Sequence, residues 1–446
     1  MNVEGWLKQM IERLPGILGD EIEGFIRDGD LISFAGGCGG ELPAIKQRLE
    51  RIEEELQRAG RLQGEEELEE AAAEASVWLQ QWLCSAYEQV EGGDRGAVAA
   101  AADRLLLQDS AAAALELVFS ALLKPGDAVL VETPSSPEAL WALRSRGAIP
   151  VPVSCDRDGM LPDDLRRLIS AAKPALVYVT PPHSAGPSGA VWSQQRKLAL
   201  LEQCDRHRVP IVEDGTPSGV PGFARAAAGR GGALGAGSAP HGEPSDSLYS
   251  LWHQDAKGEG TSVIGLDACE RALFPAQPLA WLRADAAMLD RLAAAHPQAA
   301  LLSPAACRGR LMLHSLLADA SFSLMQHAAE ILAEYEARRI YMKQLFKAAD
   351  WRGIEIHDPG FGLFLWLRLP EEIDPEALLR ASLLEGTAFV PSHRCYAPDQ
   401  NTPDPELSPL GKGGWLRLNF AAYPSMGIAE GVARIGDALS AFTARS

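Results

Sequence analysis

The sequence lacks several features, each of which would indicate a particular class of protein. It has no excess of positive charge, because 41 lysines and arginines face 60 aspartates and glutamates and the net charge is −19. Nucleic acids and anionic membranes attract basic surfaces, so neither is an expected partner. No apolar run approaches the ~20 residues of a membrane-spanning helix. The acidic N-terminus lacks the basic-then-apolar order of a signal peptide, and a cytoplasmic protein is expected.

Cysteine is sparse and scattered. Seven cysteines occur among 446 residues, and no two of them form a CxxC pair. Their odd number and irregular spacing argue against a disulfide framework and against a zinc site. The cysteines are therefore predicted to be reduced thiols, and no metal is expected.

The middle of the chain alternates short apolar runs with helical stretches. Strands are predicted at residues 127–131, 147–153, 175–180, 209–213, 262–266 and 279–282. Helical spacing of apolar residues predicts helices between them, and several more over residues 44–116. Buried strands that alternate with helices are typical of a mostly parallel sheet with right-handed crossovers. The predicted class is α/β, followed by a smaller α+β region in which FGLFLWLRL and GWLRLNF are strands.

These patterns divide the chain into three parts. Residues 1–45 are predicted to form an N-terminal arm that belongs to the smaller domain. Residues 46–290 are predicted to form the large α/β domain, and residues 291–446 the small C-terminal α+β domain. Residues 217–247 interrupt the large domain with a run rich in glycine, alanine, proline and serine. Such a run has few large apolar groups to bury, so a flexible insertion is predicted.

Several longer motifs follow one another along nearly the whole chain. They are FAGGCGGELP, LLKPGDAVLVETPSSPEAL, LVYVTPPHSAGPSG, VPIVEDG, RALFP, FGLFLWLRLP and RLNFAAY. In this order they resemble the class I/II aminotransferases, above all the 2-aminoadipate aminotransferase group and the aminotransferase-like domain of MocR-type regulators. The resemblance implies the fold-type I transferase fold, pyridoxal phosphate as the family's cofactor, and a pocket at the interface of a dimer.

One chemical position departs from this resemblance. The family forms an imine between its cofactor and the lysine of a pattern like GSFSKTLFPGLRLGYL, and the matching stretch here is LDACERALFPAQPLAWL. Arg271 therefore stands where the lysine belongs. A guanidinium with a pKa above ~12 is neither a nucleophile nor a proton acceptor at neutral pH. Lys257 lies in an expected exposed turn, which makes it a poor replacement.

The positions that would hold the cofactor differ from the family as well. At the phosphate the family has TSGSQQALDL and this sequence has QDSAAAALEL, in which Asp109 is expected to be the N-cap of the next helix. Pro278 matches the family's phosphate-binding arginine and offers no donor. Ser136 matches the aromatic residue that stacks on the cofactor ring, and Thr216 matches a tyrosine that bonds the phenolic oxygen.

Other positions keep what the resemblance implies. Asp214 matches the aspartate that pairs with the pyridine nitrogen, or it is a polar residue that ends a strand. His183 matches a histidine of the family's TPSHQFPTG. Arg417 matches the arginine that clamps the substrate carboxylate, or it forms an ion pair between domains. Gly36 and Gly37 match a turn that lets the backbone approach a ligand, or they serve a plain tight turn.

Three functions remain open, and whether the chain is an enzyme is open with them. The favoured hypothesis is a pseudoenzyme without a cofactor: a scaffold, regulatory subunit or sensor of a small anionic or amino-acid ligand, as a homodimer or in a mixed dimer with an active paralogue. The second keeps pyridoxal phosphate and uses Asp214, His183 and Arg417 unconventionally. The third uses Arg271 to bind an anion in new chemistry. Its simpler alternative is that Arg271 pairs with Asp214.

Overall fold

The computed structural model describes residues 29–91, 105–181, 191–224, 262–295, 302–349, 351–360, 362–397 and 414–443, together with residues 26, 186, 189 and 248. Three predictions fall outside this part of the chain. They are the position of His183, the position of Lys257 and most of the insertion predicted at 217–247.

The helices and strands alternate along the described chain. The strands are β1 (Ile32–Ser33), β2 (Leu105–Gln108), β3 (Ala128–Glu132), β4 (Ile149–Val153), β5 (Cys155–Asp156), β6 (Gly159–Met160), β7 (Leu176–Val179), β8 (Ile211–Asp214), β9 (Val263–Ala268), β10 (Ala280–Arg283), β11 (Glu355–His357), β12 (Phe364–Arg368), β13 (Thr387–Ala388), β14 (Val390–Pro391) and β15 (Trp415–Asn419). The helices are α1 (Pro43–Arg58), α2 (Glu65–Glu91), α3 (Ala111–Leu122), α4 (Pro137–Ser145), α5 (Pro162–Ala172), α6 (Gln194–His207), α7 (Ala286–Ala295), α8 (Pro304–Ala318), α9 (Leu324–Ala349), α10 (Pro375–Leu384) and α11 (Ser425–Thr443).

The large sheet has seven strands in the order β2-β10-β9-β8-β7-β3-β4. Strands β4, β3, β7, β8 and β9 are parallel, and β10 runs antiparallel to both β2 and β9. Its central strands LVYV and IVED are buried at every residue because helices cover both faces of a parallel sheet. The predicted α/β class with a mostly parallel sheet is confirmed.

One predicted element is wrong. Helical spacing predicts helices throughout residues 44–116, but β2 lies among them and pairs with β10. The apolar run LLLQ is four residues long, and periodicity does not separate so short a run from part of a helix. Its pairing with a strand that follows it by about 170 residues decides the conformation.

Serine side chains begin the helices that border the sheet. The hydroxyls of Ser110, Ser136, Ser193 and Ser303 each accept a hydrogen bond from the backbone N–H three residues later. This contact satisfies one of the four N–H groups that a helix leaves without a partner, and it is the usual role of serine at an N-cap. The serines therefore fix where these four helices begin.

A second sheet lies near the C-terminal end. Its strands are in the order β11-β12-β15-β14 and pair antiparallel. The first described strand, β1, pairs in parallel with β13, so the N-terminal segment is attached to the C-terminal part of the chain. The domain boundaries at residues 45 and 290 remain predictions.

The described helices include none that is long and apolar enough to cross a bilayer. The same residues contain no group of three or more histidine, cysteine, aspartate or glutamate side chains placed to hold a metal ion.

The topology places a crevice at the carboxyl ends of the parallel strands. β3 pairs with β4 on one side and with β7 on the other, so the chain reverses its direction of travel across the sheet at β3. Ligands of open α/β sheets bind outside the strand ends at such a point. Asp214 is the last residue of β8, and residue 271 follows the end of β9.

Candidate active site

A glycine-rich loop, residues 34–40, closes one side of this crevice. The backbone N–H of Gly39 donates to the carbonyl of Arg271 at 2.7 Å. The side-chain amide of Asn419 donates to the carbonyls of Gly36 and Cys38, both at 2.8 Å. The loop is therefore fixed between the end of β9 and the C-terminal sheet, and it brings residues of both into one cleft.

Arg271 lies in this cleft against Gly37. A side-chain carbon at position 37 would collide with Nη1 of Arg271, so a larger residue there would require the guanidinium to shift. The groups that act electrostatically on the guanidinium are Cys38, Glu138, Glu270 and Asp214. Burial by itself would lower the pKa of Arg271, but these neighbours raise it, and the guanidinium stays protonated. Its Nε is buried and has no hydrogen-bond partner among the described residues.

Asp214 lies at the base of the cleft and is satisfied by other groups. The Tyr178 hydroxyl donates to its Oδ2 at 2.6 Å, and the Thr216 N–H donates to its Oδ1 at 2.9 Å. Burial raises the pKa of Asp214, although these hydrogen bonds and Arg271 lower it. The Arg271–Asp214 pair stays a prediction: Arg271 acts electrostatically on Asp214, as it does on Glu138 and Glu270.

Glu270 caps the helix at which the resemblance places a phosphate. Its Oε1 accepts a hydrogen bond from the N–H of Ala111, the first residue of α3, at 2.8 Å. Burial raises the pKa of Glu270, while Arg271 and the Ala111 N–H lower it. A carboxylate thus occupies the positive N-terminal end of this helix, where anions are stabilised.

The predicted N-cap at Asp109 is wrong by one residue. The cap is Ser110, whose hydroxyl accepts from the Ala113 N–H at 3.1 Å. The Asp109 carboxylate instead accepts from the Ser303 hydroxyl at 3.2 Å and lies 3.6 Å from a guanidinium nitrogen of Arg310. Asp109 therefore faces helix α8 and not the start of α3.

Arg417 meets a carboxylate of the protein itself. Its Nη2 lies 3.5 Å from Oε1 of Glu138, a residue of the first turn of α4. The guanidinium carbon is 4.1 Å from the centre of the Phe364 ring, a cation–π distance. Arg417 is 2% exposed, and its Nε has no hydrogen-bond partner among the described residues. The pair joins the C-terminal sheet to a helix of the large sheet.

Sequence reasoning missed Glu138 and Glu270. Both were visible as changes from the family patterns: PSSPE stands where the family has PTYPG, and ER stands where it has SK. Burial of Glu138 would raise its pKa, but Arg417 and Arg271 outweigh burial and hold the pKa below its ordinary value. Glu138 is therefore the acid of the cleft that most readily carries a negative charge.

The predicted site residues come together in part. Arg271, Gly37, Asp214 and Arg417 all border the same cleft, after the end of β9, in the 34–40 loop, at the end of β8 and in the middle of β15, respectively. The Ser136 hydroxyl donates to Oε2 of Glu138 at 3.0 Å, so the position that resembles an aromatic platform supports a carboxylate instead.

Comparisons with known proteins agree with this architecture. Residues 35–216 match the family described as Aminotransferase class I and II. The 2-aminoadipate transaminase of Thermus thermophilus is 26% identical over 415 residues, which is 93% of this chain and 91% of that protein. Aromatic-amino-acid aminotransferase 1 of Thermococcus litoralis is 25% identical over 73% of this chain and 70% of its own length.

Solved structures show the same fold. The α-aminoadipate aminotransferase of Thermus thermophilus, complexed with N-(5'-phosphopyridoxyl)-L-leucine, has a TM-score of 0.70 at 23% identity and covers 97% of this chain and 98% of its own. The kynurenine aminotransferase of Pyrococcus horikoshii, in complex with PMP, has a TM-score of 0.66 at 22% identity, with coverage of 98% and 96%.

The fold is that of the fold-type I pyridoxal-phosphate-dependent aminotransferases. In sequence, residues 35–216 are similar to the class I and II aminotransferases, and the similarity to the 2-aminoadipate transaminase extends over 93% of the chain.

The expectation that no cofactor is involved is wrong. The matched family and the ligands of the solved structures point to pyridoxal phosphate. The residues of this cleft fit that group in one place, since Asp214 stands at the base where a protonated ring nitrogen would pair. They do not fit it in two others: Arg271 offers no amine for a covalent bond, and Glu270 already accepts the Ala111 N–H.

Proposed function

We propose that this chain is an aminotransferase-family protein that does not transaminate through residue 271, and that it acts as a regulatory subunit or a small-molecule sensor. The observation that carries the proposal is the guanidinium of Arg271, held charged among Cys38, Glu138, Glu270 and Asp214. A group that is always protonated cannot attack a carbonyl carbon or return a proton.

The ligand of this cleft is expected to be a small anion or an amino acid. Pyridoxal phosphate, to which the relatives point, would be held there without a bond to residue 271. Arg271 and Arg417 supply positive charge on one side, and Asp214 with Tyr178 and Thr216 supplies a fixed polar base. We place the protein in the cytoplasm and propose that it forms a homodimer or a mixed dimer with an active paralogue.

The test combines a spectrum, a reduction and a turnover assay. The purified chain is mixed with pyridoxal phosphate, reduced with borohydride and weighed intact, and its turnover of 2-aminoadipate with 2-oxoglutarate is measured. We expect no reducible adduct and no turnover for the wild type. R271K restores an amine at the same position and is expected to acquire an adduct that maps to residue 271.

Two results separate this proposal from its alternative, an aminotransferase that uses a different lysine. An adduct in R271K and none in the wild type would attribute the difference to residue 271. A wild-type adduct on any lysine, accompanied by turnover, would overturn the proposal and return the chain to the catalytic aminotransferases. Lys257 is the first lysine to inspect in that case.

A further inference from the structure

Glu138 contacts the guanidinium of Arg417, the group that the resemblance assigns to a substrate carboxylate. It reaches Arg417 from the first turn of α4, and it also lies close to Gly37, beside Nη1 of Arg271. One protein carboxylate is therefore flanked by two guanidinium groups. This is the arrangement that a bound carboxylate ligand would have, made from residues of the chain itself.

The contact between Glu138 and Arg417 is loose. Arginine and a carboxylate at close range form two parallel hydrogen bonds of about 2.7–2.9 Å. Here a single nitrogen of Arg417 lies 3.5 Å from one oxygen of Glu138, and its Nε has no partner among the described residues. Nε of Arg271 is likewise buried and has no partner there. Both guanidinium groups keep donors that an incoming carboxylate can satisfy.

The exposure of the two partners shows which of them can move. The Arg417 side chain is 2% exposed and packs on Phe364, whereas that of Glu138 is 15% exposed. Glu138 is therefore the partner that has more contact with solvent. Its position at a helix N-terminus also stabilises its charge independently of Arg417, so the side chain can turn toward solvent without losing all of its support.

The charge of the cleft favours an anion once Glu138 has moved. Burial raises the pKa of Asp214 and that of Glu270, whereas Arg417 and Arg271 hold that of Glu138 below its ordinary value. Glu138 is the acid that acts on both Arg271 and Arg417. When it moves away, Arg417 loses its carboxylate partner and Arg271 loses one of the acids beside it.

We propose that Arg417 and Arg271 form a carboxylate-binding site in which Glu138 is a built-in occupant, and that a small dicarboxylate or an acidic amino acid binds by displacing Glu138. The inference rests on the proposed function, since a binding protein needs a ligand site. It names the class of ligand and the residue that sets its affinity. The Ser136 hydroxyl, 3.0 Å from Oε2 of Glu138, holds the occupant in place.

The test uses glutarate, a dicarboxylate that has no amine or carbonyl to react, and titration calorimetry of the full chain. E138Q keeps the shape of the side chain and removes its charge, and we expect it to bind glutarate at least tenfold more tightly than the wild type. The matched control is E376Q, because Glu376 is 19% exposed and lies 3.4 Å from Arg394, outside the cleft. We expect E376Q to bind as the wild type does.

Two further variants keep the test decisive. S136A leaves Glu138 charged but less firmly held, so we expect a gain of two- to threefold even if E138Q folds poorly. Adding R417L to E138Q should abolish the gain. Equal affinities of wild type, E138Q and S136A, or no binding by any of them at millimolar glutarate, would overturn the inference. Glutarate cannot react, so its binding is independent of the adduct test. A lysine adduct with pyridoxal phosphate would overturn the proposed function and would not affect the glutarate result.

Discussion

The strands of the large sheet and the residues beyond their carboxyl ends resemble the aminotransferase patterns to different degrees. The strands keep the apolar runs and the order expected of the fold, and β7 and β8 are buried at every position. Beyond the ends of β9 and β3, Arg271, Glu270 and Glu138 depart from the patterns that the sequence resembles. A packed core constrains shape and volume, whereas in this cleft Glu138, Glu270 and Asp214 act on the charge of Arg271.

The largest expected effect lies in the core. Trp281 of β10 is fully buried, and its indole N–H donates to the Tyr87 hydroxyl at 3.0 Å. Trp281→Ala removes that bond and leaves a cavity, so we expect a loss of about 3–5 kcal/mol in the free energy of unfolding. Urea unfolding followed by circular dichroism measures it. Val77→Ala, at a position that is 55% exposed, is the control and should change stability by less than about 0.5 kcal/mol.

A similar loss in both variants would mean that the sheet is not the stable part of the molecule. The conclusion that the strands tolerate substitution less well than the cleft would then be wrong.

A smaller effect is expected where the core supports the cleft. Tyr178→Phe removes the hydroxyl that donates to Asp214 at 2.6 Å and leaves a buried carboxylate with fewer donors. Such a loss costs about 1–3 kcal/mol. Thermal unfolding at neutral pH measures it, and Tyr341→Phe, on the partly exposed face of α9, is the matched control. No destabilisation relative to Y341F would show that Asp214 does not depend on Tyr178.

Much of the fold was predictable because its signals are local. The apolar runs that became β3, β7 and β8 each end at polar residues, and the motif ALFP fixed Arg271 in register without the structure. The exceptions also have local causes. Asp109 and Ser110 are both good N-cap residues, so sequence alone did not choose between neighbours. β2 was missed because its conformation depends on a distant partner.

The site was less predictable because its contacts are long-range. Glu138 and Arg417 are separated by 279 residues, and Glu270 and Ala111 by 159. Matching to the family patterns compares one position at a time, so it predicts that the lysine and the phosphate turn are missing. It does not show which acidic residues face Arg271 and Arg417 in the folded chain, and these are Glu138 and Glu270.

The smallest expected effect is a pH dependence of stability that belongs to Glu138. Arg417 and Arg271 hold the pKa of this carboxyl below its ordinary value, so the unfolded chain binds more protons than the folded chain between the two pKa values. The stabilisation is therefore present above the ordinary carboxyl pKa and is lost as pH falls through the lowered one. Its size should be below about 1 kcal/mol, because Nη2 of Arg417 and Oε1 of Glu138 are 3.5 Å apart, too far for a strong hydrogen bond.

The measurement is the difference in unfolding free energy between wild type and E138Q, taken at several pH values so that other acids cancel. We expect the advantage of the wild type at neutral pH to shrink as the solution becomes acidic. Saturating glutarate should remove this pH dependence, because the displaced Glu138 no longer meets Arg417. A difference that is independent of pH would mean that Glu138 is not the counter-charge of the two arginines, and a difference that survives glutarate would mean that it is not the group the ligand displaces.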